Sequence, residues 1–224
     1  MHSAFRGAVN LMLDTNRMLT LVPPTAPNLP DSLRVPEAAL CRFYVGQRTW
    51  LNEGELVGEG VALGWTRCAD WDGRISARAD APPRPAPACA AVPCGLDGVS
   101  AYGRAASALL ADGMWDHLGL GKGLTPSYDD MCVGAMAVCR AAGQAHPPLP
   151  DDLGMTTDVS ARYLRLAAEG FFSQPVKQAV ACLWDENSAS ALDALLAVGA
   201  TSGADMLRGM VLAIERIFYS GETV

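Results

Sequence analysis

The chain has 224 residues, of which 50% are hydrophobic and 18% charged, and a net charge of −7. That composition suits a folded protein with an ample core and argues against disorder. With no basic run anywhere, nucleic acid is not an expected partner, because phosphate neutralisation needs clustered Lys and Arg; docking on a membrane surface is disfavoured for the same reason.

The opening MHSAFRGAVNLMLDTNR lacks a continuous apolar stretch, so no signal peptide is expected. No uncharged apolar run approaches the roughly 18 residues needed to span a bilayer. The expected location is the cytoplasm. "NRMLTLV" (16–22) reads as a short strand that stops at Pro23-Pro24. "LCRFYVGQRTWL" (40–51) and "ELVGEGVALGWTRCADW" (55–71) mix aromatic and β-branched residues with glycines at turn-like intervals. Gly46-Gln47 and Asn52-Glu53-Gly54 are expected hairpin connections.

"DAPPRPAPACAAVPCG" (80–95) carries five prolines, which fix φ and remove amide donors. It reads as a boundary or a stiff extended connection. Beyond it the pattern becomes helical, over 98–112, 128–143, 157–170, 175–185, 188–198 and 203–219. The expected fold class is α+β. A small antiparallel β-rich region, sheet or barrel, spans 1–80; a proline-rich linker spans 81–96; a mainly α-helical domain spans 97–224.

The seven cysteines are odd in number and form no Cys-x-x-Cys, which argues against a disulfide framework and a zinc ribbon. Reduced, mostly buried thiols are expected. Cys132 and Cys139, seven apart, fall on one helical face.

Chemistry concentrates at "GLGKGLTPSYDDM" (119–131). Gly119, Gly121 and Gly123 alternate ahead of a helix, permitting positive φ and close approach of a ligand to the backbone. The Lys-Ser/Thr ending of a phosphate-binding P-loop is missing, as is the βαβ unit of a dinucleotide site. Lys122 either adds positive charge beside an anion or is a solvated loop lysine. Ser127 and Asp130 form a Ser-x-x-Asp pattern close to a capping box, with the acid at the positive end of the helix dipole.

A second helix entrance repeats the first. Ser127-x-x-Asp130-Met131-x-x-Gly134 aligns with Ser202-x-x-Asp205-Met206-x-x-Gly209. A threonine precedes each, Thr125 and Thr201, and a glycine stands before each, Gly123 and Gly199. Each copy alone could be a cap followed by close-packing residues. Two copies together suggest helix starts that converge, bringing amides, hydroxyls and three carboxylates to one space. Such a site could take an anion, a hard cation, or an anion bridged by that cation.

"GLGKGLTPSYDDMCVGAM" and "VGATSGADMLRGM" resemble the two signature segments of the AllH-like family, and residues 8–35 resemble that family's start. The resemblance implies a subunit of oxamate carbamoyltransferase, a multi-subunit enzyme exchanging a carbamoyl group between oxalurate and phosphate in anaerobic allantoin (purine) breakdown. Companion subunits and a small anionic substrate, one of oxamate, oxalurate, phosphate or carbamoyl phosphate, are implied with it. By position, the family's functional residues fall on Gly121, Gly123, Thr125, Ser127, Asp129, Asp130, Ser202 and Asp205; Lys122 and Thr201 join the binding set as neighbours. Tyr128 stands where the family pattern has glycine, which would narrow the pocket or change its ligand.

Carbamoyl transfer passes through a negatively charged tetrahedral centre, which calls for backbone or hydroxyl donors. The catalytic candidates are Asp129, Asp130 and Asp205: Asp130 as the cap, Asp129 or Asp205 to hold a metal or move a proton. Carboxylates beside an anionic substrate call for a cation, for which Mg2+ is the natural candidate, with no ligand set assignable from sequence. Two other readings stand beside this one, a non-catalytic scaffold subunit and a stand-alone metal-dependent hydrolase of a small amide or phosphate compound.

Overall fold

The computed structural model describes residues 2–5, 7–13, 17–66, 68–78, 83, 94–184 and 189–219. The chain divides into two compact units, Met1–Asp72 and Gly73–Val224.

The first unit holds two separate sheets. One has the order β1 (Ser3–Phe5), β2 (Ala8–Met12), β3 (Met18–Val22), β4 (Ser32–Arg34); the other is β5 (Trp50–Asn52), β6 (Glu55–Gly58), β7 (Val61–Gly64). Neither closes into a barrel, which settles the sheet-or-barrel alternative. All neighbouring pairs are antiparallel except β3 and β4, which run parallel in the register Thr20↔Ser32 to Val22↔Arg34. Ser3, Asn10, Thr20 and Ser32 therefore lie in one row across the larger sheet. Thr20 Oγ1 donates to Asn10 Oδ1 at 3.0 Å and Asn10 Nδ2 to Ser3 Oγ at 3.0 Å, so the buried Asn10 and Thr20 satisfy each other. Val9, Leu11, Leu21, Val35, Leu40, Phe43 and Leu56 form the core of this unit.

Glu53-Gly54 turns β5 into β6 as expected, with Gly54 at φ +75°. Gly46-Gln47 joins no strands. A single helical turn, α1 (Glu37–Leu40), and two following turns occupy that stretch, because Pro36 pre-sets the entry and Glu-Ala-Ala-Leu favours helix. Leu40 and Phe43 still reach the core.

The second unit is helical: α2 (Tyr102–Ala108), α3 (Ser127–Ala142), α4 (Asp158–Ala168), α5 (Gln174–Trp184), α6 (Ala189–Leu196) and α7 (Ser202–Ile214), which runs into a π-helical turn, Glu215–Tyr219. No parallel sheet threads it among the described residues. A short 3-10 turn, Met114–His117, was not expected, and α2 is shorter than the stretch 98–112. Leu110, at φ +60°, lies just beyond its end.

Helix α3 is the centre of this unit. Every residue from Ser127 to Ala141 except Arg140 is buried, the pattern of a helix covered all round. It packs against α7 through reciprocal glycine contacts. A Cβ on Gly134 would run into the Met206 carbonyl, and one on Gly209 into the Met131 carbonyl. The repeated Met-x-x-Gly is thus a two-way helix crossing in which each glycine admits the other helix's backbone.

Of the proline-rich segment, residues 81–82 and 84–93 lie outside the described residues, as does Cys89. None of the six described cysteines forms a disulfide; Cys94, Cys132 and Cys139 are buried, Cys41 and Cys68 exposed. Cys94 and Leu96 belong to the core of the helical unit, and Arg74 bridges to Phe171 within it.

Candidate functional site

Both helix starts differ from the expected capping box. Helix α3 begins one residue earlier than the pattern suggests, with Pro126 as N-cap at φ −56°, ψ 143°; Thr201 holds that place in α7. Neither cap makes a side-chain capping bond. Ser127 and Ser202 are therefore the first helical residues and Asp130 and Asp205 the fourth. The backbone amides of the two acids bond the carbonyls of Pro126 (3.1 Å) and Thr201 (2.8 Å), as interior helix residues do. Their carboxyls, relieved of capping, are turned elsewhere.

The two starts come together. Thr125 Oγ1 and Ser202 Oγ lie 3.0 Å apart, and both hydroxyls hydrogen-bond the Asp130 carboxyl. On the other side, Ser127 Oγ, Thr201 Oγ1 and Asp205 Oδ2 surround one point, the place a Cβ on Gly95 would take; the last two are each 3.1 Å from it. Gly95 N donates to Asp205 Oδ1 at 2.6 Å. The cluster has two halves: Asp130 is hydrogen-bonded by Thr125 and Ser202, and Asp205, Thr201 and Ser127 are gathered around Gly95.

Both acids are buried, Asp130 to 2% exposure and Asp205 to 0%, and each keeps one oxygen, Oδ2, with no hydrogen-bond partner. Burial first, then the charges of Asp205 and Asp129, push the Asp130 carboxyl well above its ordinary range; the Ser202 and Thr125 hydroxyls pull the other way. Burial thus favours the protonated form to higher pH than at an exposed aspartate, which lessens its repulsion of a neighbouring anion.

Asp129 does something different. It accepts from Gly119 N at 2.8 Å, from Ser160 Oγ at 2.6 Å and from Thr156 Oγ1. Both its oxygens are thus engaged with the glycine loop and the start of α4, and two carboxyls, not three, meet at the twinned helix starts. Thr157 reinforces this attachment: its hydroxyl caps α4 by accepting from Ser160 N at 3.1 Å and donates to Leu124 O. Tyr128 N donates to Leu120 O at 3.0 Å, closing the loop on α3.

Of the loop glycines, Gly119 (φ +79°) would drive a Cβ into the Met155 carbonyl and Gly121 (φ +128°) into Ser127 N. Gly123 (φ +94°) has open space around it, so only its backbone conformation favours glycine. Lys122 is exposed at the loop tip. Tyr128 points into the core, ring edge-on to His117 at 5.5 Å, its hydroxyl beside only the weak thiol of Cys132. Burial raises that phenol's pKa further.

To a resident Mg2+ the site offers two carboxyl oxygens free of hydrogen bonds, Asp130 Oδ2 and Asp205 Oδ2. Asp129 already accepts from three donors, and among the described residues no three His, Cys, Asp or Glu side chains are grouped to hold a metal ion. Gly95, Thr156 and Ser160 were not foreseen as site residues. Gly95 lies 110 positions from Asp205 at the end of the proline stretch, and no local pattern links them. Thr157-x-x-Ser160 is legible as a helix start, but not as a partner of Asp129.

Fold and site together define an α+β protein of two units, whose helical unit brings two helix starts to a hydroxyl-lined pair of buried carboxyls. The chain belongs to the AllH family: residues 117–214 match the model described as oxamate carbamoyltransferase subunit AllH, and residues 1–69 match the AllH family N-terminal domain. A subunit of that kind implies companion subunits and small-molecule substrates. No solved structure matches the chain. Among the described residues no helix is long and apolar enough to cross a membrane.

Proposed function

We propose that this chain binds the small anionic substrate of a carbamoyltransferase, oxamate or its reaction partner phosphate, at the twinned starts of α3 and α7. The observation that carries the reading is the pair of buried acids, Asp130 and Asp205, each with an unpartnered oxygen among four hydroxyls. An unpartnered buried carboxyl oxygen costs free energy in the ligand-free protein and is an attachment point for a polar ligand. Helix starts favour negative charge, and the upward shift of the Asp130 pKa lessens its repulsion of an anion. In this reading Asp130, Asp205, Thr125, Ser127, Thr201 and Ser202 meet the ligand. Gly121 and Gly123 shape the loop, Lys122 adds positive charge at its tip, and Asp129 positions that loop through Gly119, Thr156 and Ser160. The enzyme assembled with its companion subunits would transfer the carbamoyl group in the cytoplasm, in allantoin breakdown.

Calorimetric titration of the pure chain with oxamate and with phosphate tests this. Binding is expected for at least one, and Gly121→Val should abolish it, since a side chain there meets Ser127. A chain that folds but binds neither would replace this reading by the scaffold one.

A further inference from the structure

The two halves of the site are related by the same pseudo-twofold that pairs Gly134 with Met206 and Gly209 with Met131. Ser127 corresponds to Ser202, Asp130 to Asp205, and each acid's amide bonds the carbonyl four residues earlier. The halves differ in one respect. At Asp205 a peptide amide of the chain itself, Gly95 N–H, docks on the carboxylate at 2.6 Å, with the Gly95 Cα seated against Ser127 and Thr201. The turn that presents it is fixed by Asp97, which accepts from Cys94 N at 2.8 Å and Cys94 Sγ at 3.4 Å. At Asp130 the hydrogen-bond partners are hydroxyls, Thr125 and Ser202, with no peptide amide, and both acids keep Oδ2 buried without a partner.

We infer that the Asp130 half takes the amide N–H of a small carboxamide or carbamoyl ligand, as the Asp205 half takes that of Gly95. The chain thus carries, in Gly95, a built-in copy of the group its ligand presents. The inference rests on the proposed ligand site and adds to it the orientation: the nitrogen end of the ligand lies at Asp130 and its anionic end toward the loop. Burial supports the match, because a carboxyl oxygen shut away from water gains most from a donor brought by the ligand. A site built to pair an N–H also rejects an analogue that lacks it, since the acceptor is then left buried and unpaired.

The test compares oxamate with oxalate, which replaces the amide by a second carboxylate, in titrations of the full chain, with phosphate as a third probe. Oxamate is expected to bind at least tenfold tighter than oxalate. Asp130→Leu should erase that preference. Asp130→Asn, which keeps size and an acceptor, should retain part of the preference and guards against a Leu variant that fails to fold. Equal binding of oxamate and oxalate by the wild-type chain, or an undiminished preference in a folded Asp130→Leu, overturns this inference alone. Binding of none of the three probes overturns the ligand-site reading and this inference with it.

Discussion

Asp130 holds its proton more firmly in the folded protein than in the unfolded chain, where an aspartate titrates near about 3.9. The folded state therefore binds more protons above that pH, and stability falls as pH rises from the unfolded value through the folded one. Below the unfolded value this contribution is fully present. Asp130→Asn cannot ionise, so the gap between variant and wild type should move in the variant's favour with rising pH. The slope has a ceiling of about 1.4 kcal/mol per pH unit, one proton's worth. Urea unfolding of both proteins from pH 4 to 8 measures it; a gap that stays constant with pH would show that folding leaves the proton affinity of Asp130 unchanged. Asp129 and Asp130 are adjacent in sequence yet sit in opposite situations, one accepting from three donors, the other left with a bare oxygen. Sequence reading selected both acids and made Asp130 the cap and Asp129 a candidate for chemistry; it missed their surroundings, because the contacts that set them come from Thr156, Ser160 and Ser202, distant in sequence.

At the scale of elements, the α3–α7 pair turns a repeated motif into a packing device. Alanine is favoured over glycine in a helix interior by about 1 kcal/mol, so Gly134→Ala would stabilise an isolated helix. Here the added Cβ meets the Met206 carbonyl, a backbone atom that cannot swing aside, and overpacking of that kind costs typically about 1–3 kcal/mol and on occasion more. The clash should win: Gly134→Ala and Gly209→Ala are each expected to destabilise the protein by about 1–2 kcal/mol net. Gly103→Ala in α2, where a Cβ has nothing within 4 Å, should instead be neutral or stabilising. Thermal unfolding of the three variants decides it, and a stabilised Gly134→Ala would contradict the close crossing. The helices themselves were legible because alanine- and leucine-rich runs with helical spacing need little outside help. The first unit was less so. The β1, β2 and β4 segments are short, and the parallel β3–β4 pair is made by a nine-residue return, shorter than the usual crossover of a dozen or more. The convergence of the helix starts was legible from the repeat; the role of Gly95 was not, since it depends on a contact 110 residues away.

For the whole molecule, two compact units meet between Asp72 and Gly73. Each has its own buried cluster, so a fragment of residues 73–224 is expected to unfold in a single cooperative urea transition without the first unit. A fragment lacking any such transition would show that the helical unit depends on residues 1–72. The crossing of α3 and α7 also has a consequence in time. Met131 and Met206 are 75 positions apart, and a ribosome adds roughly 5–20 residues per second. For about 4–15 seconds of synthesis, then, the notch at Gly134 faces the cell uncovered, with Asp130 beside it and no partner helix yet made. During that interval the nascent chain is a surface that another helix, or a chaperone, could seize before its own seventh helix arrives.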